Sequence, residues 1–264
     1  MTATSTRTST RRKTALLGVF LGLWALLPAG LPGGGPAATP GADEVPELLP
    51  VPAPDLAEAD PSIREQLAEH REALDRALAV SGEGGGAGEP PPGAPEDAGA
   101  AAPEGLAALF GRMGQLYFLY GYDDAARAAF ENARRLAPDD LRWPYYLGVL
   151  HERRGELEAA ARELESVLDQ RPEDVPALLH LASVALEANR LDDAEAHYRA
   201  ALEAGAGAAA HYGLGRIALE RGEPERAAEL LEGVLEEHPD SGPVHYQLGL
   251  AYRQLGELDR AREH

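Results

Sequence analysis

The feature that most limits what this chain can fold into is a repeat. Five segments superimpose at a spacing of 34 residues, with one step of 33. Gly114, Gly148, Ala182, Gly215 and Gly249 form one column, and Gly121, Gly155, Asn189, Gly222 and Gly256 form a second. Ala126, Ala160, Ala194, Ala227 and Ala261 form a third. A fixed period in this range marks stacked supersecondary units, each unable to bury its apolar face alone. The repeat therefore predicts an all-α solenoid over residues 105–264, with four complete repeats and a fifth cut short.

Each column has a physical reason. Phe110, Met113, Gly114 and Tyr117 follow the i, i+3, i+4, i+7 spacing of one buried helix face, and later units repeat the stripe. The small residue in it allows another helix to approach closely. Seven residues on, the Gly121 column ends the first helix in a left-handed residue. The one substitute there, Asn189, is the non-glycine residue that best tolerates that conformation. An acid opens each second helix, at Asp124, Glu158, Asp192, Glu225 and Asp259, facing the positive end of the helix dipole. Second helices then run small, large, small, as in Ala126, Phe130 and Ala133, and Pro138, Pro172 and Pro239 stop them. Asp140, Asp174 and Ser241 stand where they can cap the helices that follow. The third unit replaces its proline with Gly205-Ala206-Gly207, and that loop absorbs the missing residue.

The pattern resembles tetratricopeptide repeats. The first unit shows Phe110, Met113-Gly114, Tyr117, Gly121, Ala126, Phe130, Ala133 and Pro138, and the fifth shows Leu248-Gly249, Tyr252, Gly256 and Ala261. The resemblance implies a right-handed superhelix of helical hairpins whose concave groove binds a peptide or protein, with no catalysis and no cofactor. The positions that face inward in this family fall on Tyr145, Val149, Glu152 and Arg153; on Leu179, Ser183 and Leu186; on Tyr212, Arg216 and Leu219; and on Tyr246, Leu250 and Arg253. Tyrosine and arginine are frequent interface hot spots, which suits an extended or helical peptide with apolar anchors and some acidic character. The alternative is that the tyrosines pack between adjacent first helices. Paired Lys and Asn residues, which hold a terminal carboxylate in some family members, are absent from these positions.

Residues 1–37 are expected to be an export signal or N-terminal anchor. A basic Ser/Thr-rich start precedes an apolar run over residues 15–27, then Pro28 and small residues. Gly35-Pro36-Ala37 is the best small-x-small cleavage site. If the segment stays uncleaved, it is the chain's one membrane attachment, and the repeats lie in a periplasmic or other extracytoplasmic space. No cysteine is present, so such a domain is held by its core alone. Residues 38–59 and 81–104 are rich in Pro, Gly, Ala and Glu and read as disordered tethers. Between them, residues 60–80 predict an amphipathic helix opened by Asp60-Pro61, with Ile63, Leu67, Leu74 and Leu78 on one face. It is either an N-terminal cap for the array or a separate binding element.

The formal net charge is −20, and the only charged residues before position 41 are Arg7, Arg11, Arg12 and Lys13. The rest of the chain is more acidic still and should be repelled by nucleic acid and anionic lipid. No metal-ligand spacing, nucleophile elbow or phosphate loop occurs, and the Glu83-Gly-Gly-Gly run opens no helix. Three functions fit: an exported protein-interaction scaffold, the scaffold part of a longer protein with an enzymatic or electron-transfer domain beyond His264, or a spacer. The fifth repeat stops before its closing apolar residues, so end-to-end self-association through that uncapped face is also expected.

Overall fold

The computed structural model describes residues 46–57, 59–83 and 102–264. The expected signal over 1–37 and the glycine run after Glu83 lie outside them. Every regular element among the described residues is an α-helix. The helices fall into two compact units, one over Gly33–Pro172 and one that includes Glu173–His264.

In the first unit, α1 (Pro61–Glu83) precedes two hairpins, α2 (Pro103–Leu119) with α3 (Asp123–Leu136) and α4 (Arg142–Arg154) with α5 (Leu157–Leu168). Asp60 opens α1, its carboxylate accepting from the Ser62 N–H at 2.8 Å. Leu67, Leu74 and Ala77 are buried where α1 packs on α2, and the Tyr120 hydroxyl donates to Gln66. The helix runs three residues past the expected end at 80, and it covers the flank of the first hairpin.

The segment 38–59, expected to be a flexible tether, departs from that reading where it is described. Residues 46–56 have no regular secondary structure but lie against the first unit, and the Leu49 main chain is hydrogen-bonded at both ends to the side chain of Asn132. Low apolar content does not leave a segment free when its backbone polar groups find partners on a neighbouring helix.

The second unit holds three hairpins: α6 (Val175–Glu187) with α7 (Leu191–Glu203), α8 (Ala208–Glu220) with α9 (Pro224–Glu237), and α10 (Gly242–Leu255) with the short α11 (Leu258–Glu263). The turn column behaves as its residue types demand. Asn189, at φ 57°, is the only non-glycine with positive φ among the described residues, and Gly222 and Gly256 adopt 72° and 79° in the same place. Gly205 and Gly207 are also left-handed, which lets the shortened loop close without disturbing α7 or α8.

Asp174 caps α6 as expected, accepting from the Ala177 N–H at 3.1 Å. Asp140 and Ser241 differ. Leu141 occupies the capping position of α4 because the Asp140 carboxylate is taken by the Arg142 guanidinium and N–H, and Ser241 makes no side-chain cap bond.

The small-residue column keeps two helices close, and the helix it admits is its own hairpin partner. A Cβ on Gly114 would fall 2.6 Å from Phe130, on Gly148 2.7 Å from Leu164, and on Gly215 2.8 Å from Leu231. In the hairpin of α6 and α7, Ala182 replaces the glycine and Tyr198 the leucine. Tyr198 reaches instead into α8, where a Cβ on Gly213 would overlap its ring. In the first unit Trp143 of α4 lies over Gly111 of α2 in the same manner.

Candidate protein-binding face

The inward positions implied by the repeat are spread over four first helices, and the structure treats them unequally. In the first unit, Tyr145 is half-buried with its ring edge-on to Tyr146, centroids 5.6 Å apart. Tyr146 stacks on Phe130 at 5.1 Å and accepts a hydrogen bond from Gln115, and burial pushes its phenol pKa up. Val149 is buried and Glu152 half-buried.

Arg153 is committed inside the unit. Its guanidinium donates to the Phe118 carbonyl at 2.7 Å and to Asp123, and lies 3.7 Å from the Phe118 ring centroid. Desolvation lowers its pKa, and Nε is buried without a hydrogen-bond partner. The cation fastens the end of α4 to the turn between α2 and α3 rather than facing a ligand.

In the second unit, α6 is buried at every residue from Ala177 to Leu186, so Leu179, Ser183 and Leu186 are covered. The Ser183 hydroxyl finds no partner there. On α8, Leu219 is buried, while Tyr212 and Arg216 are half-buried. Tyr212 packs on the cluster of Leu219, Leu231, Val244 and Leu248, burial raises its pKa, and its hydroxyl is hydrogen-bonded to Gln247.

On α10 the stripe opens outward. Tyr246 is 64% exposed, Leu250 is half-buried and Arg253 is exposed. Positions i, i+4 and i+7 put all three on one helical face. Helices α8 and α10 pack on one another, so Tyr212 and Arg216 belong to the same surface region of the unit. The accessible part of the implied face is thus α10 with the edge of α8, an aromatic and apolar surface flanked by two arginines.

Sequence reasoning missed the joints between hairpins. Glu195 of α7 is buried among Arg199, Arg221 and Arg226, and hydrogen bonds from Arg226 and Arg221 hold its carboxyl below the usual range. A single acid in a chain with 44 of them gives no signal of this kind. Among the described residues no group of three metal-ligating side chains occurs, and no helix is long and apolar enough to cross a membrane.

A family model of the tetratricopeptide repeat matches residues 121–175, 158–209, 179–242 and 212–264, which together exceed half of the chain. The Protein CTR9 homolog of Arabidopsis thaliana is 32% identical over 112 residues, 42% of this chain, and the match spans only 10% of that protein's length. Among solved structures, MamA 41-end from Desulfovibrio magneticus RS-1 is similar at TM-score 0.54 and 22% identity, over 60% of this chain and 89% of that one. BtubC from P. vanneervenii reaches 0.58 at 17% identity, over 77% and 88% respectively. Pseudomonas aeruginosa PilF reaches 0.55 at 18% identity, over 60% and 72%. These structural likenesses speak for the fold alone.

Proposed function

The chain belongs to the tetratricopeptide repeat family, and from that membership we propose that it is a non-enzymatic scaffold binding a protein or peptide segment on the first-helix face of its second unit. The observation that carries this reading is the outward face of α10. Tyr246 is 64% exposed and shares its helical face with half-buried Leu250, beside half-buried Tyr212, and a continuous apolar patch of this kind is what partner proteins cover. Arg216 and Arg253 beside it favour a segment with acidic residues flanking apolar anchors.

Tyr246 lies outside the core, so its removal separates binding from folding better than removal of the half-buried Tyr212. Peptides selected by display on the full chain should bind Tyr246→Ala about tenfold more weakly, a hot-spot loss of ~1.4 kcal/mol, with the melting midpoint unchanged. Unchanged affinity in both Tyr246→Ala and Arg253→Ala would sink this site.

The same proposal places the scaffold outside the cytoplasm, delivered or anchored by the apolar run at residues 15–27. Fused to alkaline phosphatase, which needs an oxidising compartment, residues 1–45 should confer activity that is lost when 15–27 are deleted. Equal activity of the two fusions would reject export.

A further inference from the structure

Asn132 sits in the middle of the first repeat's second helix with 0% of its surface exposed, and it serves no cap and no ion pair. Both ends of its carboxamide are spent on one residue of the segment that precedes α1. Oδ1 accepts from the Leu49 N–H at 2.7 Å, and Nδ2 donates to the Leu49 carbonyl at 2.9 Å. Farther along the same helix, Arg135 donates to the carbonyl of Glu47. Residues 47 and 49 of an extended chain present their main-chain groups on the same edge. Helix α3 therefore holds this segment by its backbone at alternate residues, with Leu48 and Val51 half-buried beside it.

Main-chain recognition of this kind does not depend on which side chain the read residue has. What it requires is extended geometry, and Pro50 supplies that by restricting the residue before it. The segment is part of what covers Asn132, so on its departure the carboxamide exchanges both main-chain bonds for water, and an incoming segment has only that water to displace.

We propose that Asn132 and Arg135 form a binding site for an extended leucine- and proline-containing polypeptide segment, filled here by residues 46–51, for which a like segment of a second protein competes. Covalent attachment raises the effective concentration of the resident segment into the millimolar range, about the level a competitor must overcome. The site is separate from the α10 face and stands or falls without it.

The test uses the full chain and a labelled peptide with the sequence of residues 46–57. Leu49→Pro removes the N–H that Asn132 accepts, in a segment outside every helix, and so vacates the site. By fluorescence anisotropy the peptide should bind Leu49→Pro at least about tenfold more tightly than the unsubstituted chain. N-methylation of the peptide's own counterpart of Leu49 should reverse the gain without altering the protein, and Arg135→Ala should weaken binding several-fold. Circular dichroism checks that each variant keeps its helices. Absence of peptide binding to folded Leu49→Pro, or equal binding of the N-methylated and plain peptides, would overturn the proposal.

Discussion

Trp143→Ala should lower the stability of the first unit by about 3–5 kcal/mol. Trp143 is among the largest fully buried side chains, and its ring fills the space left by the missing side chain of Gly111. Removing the indole empties that space, and Gly111 has no side chain with which to refill it. Trp143→Phe should cost much less, since the indole Nε1 is buried without a hydrogen-bond partner and its desolvation goes unrecovered. Urea unfolding of the full chain followed by circular dichroism reads both. A loss under about 1 kcal/mol for Trp143→Ala would show that the hairpins close up around the gap.

Gly213→Ala should cost a net ~1 kcal/mol, against the usual direction of that substitution. In an open mid-helix position alanine gains about 1 kcal/mol over glycine. At Gly213 the new Cβ would overlap the ring of Tyr198, which is only 4% exposed and has no room to swing out, and overpacking of that kind costs about 1–3 kcal/mol or more. The decisive measurement is the same change in a Tyr198→Leu background. Leucine is what Leu164 and Leu231 supply at that column, and with the ring gone Gly213→Ala should become stabilising by about 0.5–1 kcal/mol. Should the sign stay the same in both backgrounds, the ring is not what demands glycine there.

Much of the fold was legible because its causes are local. A left-handed turn admits Gly or Asn, and Asn189 has the positive φ its column required. A helix dipole favours acids at its start, and Asp124, Glu158 and Asp192 stand in first turns. The face proposed for binding was less legible, since a 3.6-residue stripe tells which side of a helix looks inward but not what lies over it. Leu179 and Leu250 occupy inward positions by pattern, yet one is buried and the other half-open. The contacts of Arg153 were hidden for a similar reason, because its partners are the Phe118 carbonyl and ring from the preceding hairpin.

The docked segment at 46–57 left no trace in hydrophobic periodicity because Asn132 reads its main chain. One signal was present and went unused. Gly111 stands in the column of Tyr145, Leu179, Tyr212 and Tyr246, while Trp143 stands in the column of Leu109, Ala177, Ala210 and Val244. The first column gives up its bulk at the one hairpin whose successor carries the bulkiest side chain of the second column. That is an exchange of volume between neighbouring hairpins.

The exchange bears on how the array can be edited. In Gly213's column the other hairpins hold Arg112, Tyr146, His180 and Gln247, any of which would strike Tyr198 if its hairpin were transplanted into that place. A hairpin moved from its site leaves a hole behind and brings a clash with it, so the units share one backbone plan without being spare parts for one another. Idealising this array to a consensus would have to change both members of each fitted pair at once.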